Sequence, residues 1–163
     1  MIRRKINLSE FLAFWVICGV FLLQGSCQTE QTVEVLPFVE YLTSESVSSS
    51  DLPFSDAVRV GQMIYLSGKI GVLPGSNVLA PGGITGETKQ VMDSIRNLLA
   101  RNGSSMNNVV KCTVMLADIE EWAEMNSVYV TYFPEHKPAR SAFGTSGLAM
   151  GARVEIECLA TIP

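Results

Sequence analysis

Histidine is almost missing from this 163-residue chain, with His136 the only one. None of the four cysteines stands in a Cys-x-x-Cys spacing. A zinc centre of His and Cys ligands needs three or four donors at short spacing, so that class of site is excluded and no metal is expected. A serine hydrolase is excluded as well, because His136 sits in the proline-flanked turn 134–138 and gives Ser141 no triad partner. Long hydrophobic runs are also lacking. The longest, Phe11 to Leu23, has thirteen residues, against about 20 for a membrane span.

That short run belongs to a leader. Arg3, Arg4 and Lys5 precede it, and the small residues Gly25 and Ser26 follow, ahead of Cys27. The pattern predicts a secretory signal peptide over residues 1–26. Leu23-Gln24-Gly25-Ser26-Cys27 resembles a lipoprotein cleavage site displaced by one position, which makes Cys27 a candidate lipidation site and a lipid anchor the one expected membrane contact. Ordinary secretion and an uncleaved anchor are the alternatives. Each fate places the protein outside the cytosol, in the periplasm or on a bacterial membrane.

Loss of the leader removes Arg3, Arg4, Lys5 and Glu10, leaving nine basic against fifteen acidic side chains. An acidic balance of this kind argues against a general nucleic-acid partner, which needs a basic face to neutralise phosphates. Cys18 and Cys27 fall in or beside the leader, so Cys112 and Cys158 are the cysteines of the folded part. Each lies in an apolar alternating segment and is expected as a separate small core residue rather than half of a disulfide.

Residues 27–50 are rich in Ser, Thr and Glu and read as a polar linker, with a weak strand signal between Val33 and Leu42. The globular domain is expected over 51–163. Two short strands flank Gly61, and a Gly/Pro-rich loop covers Leu73 to Gly83. Ile84, Val91, Ile95, Leu98 and Leu99 recur at helical spacing and end at Gly103. Val110, Cys112, Val114 and Leu116 alternate, which predicts a strand.

Asp118 to Glu121 reads as a capping box for a second helix, whose stripe of Trp122, Met125, Tyr129, Tyr132 and Phe133 is expected in the core. Two strands close the chain, near 139–145 and 153–161. The order β-β-α-β-α-β-β implies an α+β domain, a mixed sheet with two helices on one face. The other face carries Glu155 and Glu157 and is expected to be covered by a second subunit.

Chemistry concentrates in Pro138-Ala139-Arg140-Ser141 and Arg153-Val154-Glu155-Ile156-Glu157. Arginine stays charged and presents a planar fork that matches a carboxylate, and a nearby glutamate can orient or deprotonate water. On local sequence alone, Arg140 pairing with a surface glutamate and Arg140 holding a ligand both stay open. Glu155 and Glu157 are equally eligible as the acid.

These two segments, together with Met63-Ile64-Tyr65-Leu66-Ser67-Gly68-Lys69-Ile70, Asn108 to Val114 and Met125-Asn126-Ser127-Val128-Tyr129, resemble the RidA/YjgF/UK114 family of imine deaminases over about 110 residues. The resemblance implies a YjgF-like (chorismate mutase-like) fold and a homotrimer with clefts between subunits. It implies hydrolysis of 2-imino acids or their enamine tautomers, such as 2-aminoacrylate and 2-iminobutanoate, to 2-keto acids and ammonia without a cofactor. Arg140 would grip the substrate carboxylate and Glu155 would place the water, with Ser67, Gly68, Asn126 and Phe54 lining the cleft.

Two positions depart from the family pattern. Phe54 stands where a tyrosine is usual, and Ala142 stands where a cysteine is frequent. A binding trimer for another small acid, or an endoribonuclease, are the competing expectations.

Overall fold

A computed structural model describes residues 38–43 and 52–163. The leader, Cys27 and most of the expected linker therefore lie outside the described residues. Among the described residues no helix is long and apolar enough to cross a membrane.

Strands form where β-favouring residues alternate between a buried and an open side. They are β1 (Val39–Leu42), β2 (Ala57–Val60), β3 (Met63–Leu66), β4 (Lys69–Ile70), β5 (Val109–Leu116), β6 (Ala139–Gly144) and β7 (Val154–Thr161). The helices are α1 (Gly83–Arg101) and α2 (Trp122–Tyr129). β1 falls within the weak strand signal of Val33 to Leu42, and beyond the expected elements the structure adds the two-residue β4.

One sheet runs β1-β2-β3-β7-β5-β6, with β4 paired beside β3 on β7. β5 and β6 are parallel, joined through α2 as a crossover must be. The remaining described pairings are antiparallel, for example β5 with β7.

α1 buries Ile84, Val91, Met92, Ile95, Leu98 and Leu99. They meet Val114 and Leu116 of β5 and Val154 and Ile156 of β7 in one core. Each such side chain contributes about 1.5–3 kcal/mol of burial. Asn102 ends α1, and Gly103 follows with φ 74°, a left-handed geometry that suits glycine.

Three expectations are corrected. Cys112 and Cys158 form a disulfide, with Cα atoms 4.1 Å apart. The antiparallel register sets them directly opposite each other on the buried face; the alternation of each strand was legible in the sequence, but their pairing was not. The capping box does not close. Asp118 Oδ1 accepts from the Glu120 amide at 3.0 Å, capping a 3-10 turn ahead of α2, while the Glu121 carboxylate takes the Arg153 guanidinium instead. Trp122 is not a core residue: it is 41 % exposed, whereas Met125, Tyr129 and Phe133 are buried.

Candidate active site

Register decides where each candidate side chain points. Arg140 of β6 lies opposite Cys112 of β5. Residues paired across neighbouring strands project to the same face, so Arg140 projects to the helical side, at the edge of the sheet. There its Nη1 donates to Asn126 Oδ1 at 2.7 Å. Its guanidinium carbon lies 4.7 Å from the Tyr129 ring centroid and 5.6 Å from that of Trp122. Among the described residues it makes no ion pair, in contrast to Arg59, Arg96 and Arg153.

Glu155 takes the other face. It sits between the buried Val154 and Ile156 and lies opposite Met115 of β5 and Ile70 of β4. Its carboxylate rests on the Gly68 backbone. A Cβ built on Gly68 would lie 1.9 Å from Glu155 Oε1 and 2.8 Å from its carboxyl carbon. Only a residue without a side chain leaves the carboxylate in that place.

Ser67 spends its hydroxyl locally, donating to the Ser55 carbonyl at 2.6 Å, and its amide donates to the Asp56 carbonyl at 3.0 Å. Lys69 pairs with Asp56. These bonds tie the segment that carries the exposed Phe54 to the end of β3. Glu157 is on the open face with Glu155 but is more exposed and is paired across to Thr113.

The candidates thus form two groups. Arg140 and Asn126 meet on the helical face. Glu155, Gly68, Ser67 and, through Ser55, Phe54 gather on or beside the open face. Within one copy β5 stands between β6 and β7, so Arg140 and Glu155 do not share a pocket. Sequence reasoning missed Trp122 and Tyr129 beside Arg140. Their spacing of i and i+7 around Asn126 at i+4 was the available signal, since it places all three on one helical stripe.

Tyr129 is 94 % buried, leaving 6 % exposed. Its hydroxyl has no hydrogen-bond partner among the described residues. Burial pushes its phenol up to about 12, with the Arg140 charge pulling the other way, so at neutral pH the ring facing Arg140 is uncharged.

A cavity of about 640 Å³ lies elsewhere, between α1 and the segment after α2. Its two cations share one carboxylate. Asp93 takes Lys89 at 2.7 Å, Arg96 at 2.8 Å and the Tyr132 hydroxyl at 2.8 Å. Burial, followed by the Asp93 hydrogen bond and charge, pushes the Tyr132 phenol up to about 12. One carboxylate against two cations leaves a net positive charge there, but none of the expected site residues lines this cavity.

The profile of the family described as Endoribonuclease L-PSP matches residues 45–162. A mouse protein named 2-iminobutanoate/2-iminopropanoate deaminase is 44 % identical over 108 residues, 66 % of this chain and 80 % of its own length. The chain belongs to the RidA/YjgF/UK114 family. Another member, the chloroplastic Reactive Intermediate Deaminase A of Arabidopsis thaliana, is 32 % identical over 123 residues, 76 % of this chain and 66 % of its own length.

Solved structures agree with the fold. RidA from the Antarctic bacterium Psychrobacter superposes with a TM-score of 0.69 at 32 % identity, covering 76 % of this chain and 99 % of that one. The YjgF gene product of Escherichia coli gives a TM-score of 0.69 at 28 % identity, again covering 76 % and 99 %. The mixed sheet with two helices is therefore the family's fold.

Proposed function

We propose that this protein hydrolyses small 2-imino acids to 2-keto acids and ammonia in clefts between copies of a homotrimer. The observation that carries this reading is the state of Arg140: a guanidinium held only by an amide and two neutral rings, with its charge uncompensated by any described carboxylate. A surface ion pair would leave the charge neutralised. An arginine kept open fits a carboxylate ligand, gripped two-pronged by the donors that Asn126 does not use.

One copy cannot complete the site, because Arg140 and Glu155 face opposite ways. The open face of the sheet presents Tyr65, Val110 and Phe143 to solvent, a surface suited to burial against another copy. Arg140 stands on edge strand β6, from which it can reach into a neighbour's open face. The proposed cleft joins Arg140 and Asn126 of one copy to Glu155, Gly68 and the Ser67 backbone of the next.

The chemistry needs little more. The imine carbon is already electrophilic. Glu155 takes a proton from water as the water oxygen bonds to that carbon, and the C=N electron pair moves to nitrogen, which receives that proton from Glu155. Collapse of the carbinolamine breaks the C–N bond and releases ammonia, while the hydroxyl loses its proton and becomes the keto oxygen. Arg140 holds the carboxylate, so attack is intramolecular in effect, and a cleft closed by a second copy excludes bulk water and strengthens both charges. Phe54 keeps an aromatic ring at its position but supplies no hydroxyl donor, which leaves proton transfer to Glu155.

Export belongs to the same proposal. The leader over 1–26 directs the chain out of the cytosol, with Cys27 as its lipid attachment point. The Cys112–Cys158 disulfide supports this reading, since such bonds persist in oxidising compartments and are rare in the cytosol.

The test supplies 2-iminobutanoate in situ from a threonine dehydratase and follows 2-oxobutanoate release. Acceleration that vanishes in Arg140→Ala is the expected result. No acceleration by an intact, folded trimer would overturn the deaminase and leave a small-acid binder. A monomeric mass in solution would remove the shared cleft. Cleavage of RNA by the same preparation would restore the endoribonuclease reading, which the acidic balance of the chain disfavours.

A further inference from the structure

The geometry points to Trp122 and Tyr129 as positioning residues for Arg140, an aromatic clamp that holds the guanidinium in place without neutralising it. This inference rests on the reading of Arg140 as the carboxylate anchor.

Three side chains of α2 converge on one guanidinium. Trp122, Asn126 and Tyr129 fall at i, i+4 and i+7, so they form one stripe of the helix facing the β6 edge. Asn126 fixes one N–H at 2.7 Å. The rings approach the guanidinium carbon to 4.7 Å and 5.6 Å, both within the ~6 Å reach of a cation–π contact. The holders are all neutral. A carboxylate in their place would compete with the substrate for the same donors.

The two rings differ in setting. Tyr129 is buried, packs on Phe133 at 5.0 Å between centroids and carries a hydroxyl with no described partner. Its contribution to the clamp is therefore its ring face rather than its oxygen. Trp122 is 41 % exposed. Its replacement leaves no buried cavity, so its effect on substrate binding can be read without loss of the fold. A planar guanidinium is what such a clamp fits, and the ammonium of a lysine does not stack in the same way.

The chain contains two tryptophans, Trp15 and Trp122. In a full-length Trp15→Phe background, Trp122 is the sole indole and reports on its own surroundings. Arg140→Met in that background is expected to shift the Trp122 emission, and an unchanged spectrum would overturn the stacking.

In kinetics with 2-iminobutanoate, Trp122→Leu is expected to raise KM about fivefold while kcat stays within about twofold, as follows from losing one exposed cation–π contact. Trp122→Phe, which restores a ring, is expected to recover most of the loss. An unchanged KM in Trp122→Leu, or an equal defect in Trp122→Phe, would overturn the positioning role. The emission measurement needs no turnover. If the parent chain showed no deaminase activity, the proposed function would fall and the emission shift alone would decide the clamp.

Discussion

Gly68→Ala separates the chemistry from the fold. Gly68 has no left-handed φ, so alanine meets no backbone strain there. The added methyl would instead stand 1.9 Å from Glu155 Oε1. Ordinary carbon–oxygen contact lies near ~3.3–3.6 Å, so the carboxylate must withdraw by about 1.5 Å. The atom displaced is the end of a flexible side chain on the open face, and the cost to stability is small, about 0.5–1.5 kcal/mol for an off-rotamer adjustment. The cost to catalysis is larger, because a displacement of about 1 Å is worth on the order of a hundredfold in rate. Thermal unfolding and 2-oxobutanoate release, measured on one preparation, provide the assay. The expected result is a melting temperature within a few degrees of the parent and kcat lowered about a hundredfold. A variant that turns over at the parent rate would refute the placement of the attacking water by Glu155 against the Gly68 backbone.

Two further predictions concern stability. Replacing both Cys112 and Cys158 by alanine removes a cross-link that spans 46 residues of chain, and the expected loss is about 2–4 kcal/mol, read by denaturant unfolding; reduction with dithiothreitol under unfolding conditions should match it. Asp93 is held below its ordinary 3.8: burial opposes this, but hydrogen bonds from Lys89 and Tyr132 and the charges of Arg96 and Lys89 prevail. A carboxyl depressed in the folded state stabilises the fold above the unfolded value and loses that contribution as pH falls through the folded one. Asp93→Asn should therefore cost up to about 1 kcal/mol at pH 7, a gap that closes below pH 3.8; a gap that widened in acid would refute the assignment.

Periodicity alone determined much of this protein. Alternation in Val109–Leu116 and Val154–Thr161 named both strands and their buried sides, except at Val110, which was expected on the face of Cys112 but is exposed where a bulge buries Val109 instead, and the i, i+4, i+7 rhythm with a closing Gly103 named α1. The same alternation put Glu155 on the open face, and the Pro-Ala-Arg-Ser and Val-Glu-Ile-Glu segments carried the family. Periodicity says which way a side chain points within its own element. It does not say which element lies opposite. That information resides in the register between strands distant in sequence, and only the tertiary structure supplied it.

Register joined Cys112 to Cys158 across 46 residues, where the sequence showed two unrelated apolar positions. It turned Arg140 toward α2 and Glu155 away from it, so that two residues read as one constellation stand on opposite faces of the sheet. Helix packing likewise drew Trp122 out of the expected core and set it beside Arg140. The side chains of the proposed site were named from the sequence. Their partners were not, because each partner comes from an element that only folding brings alongside.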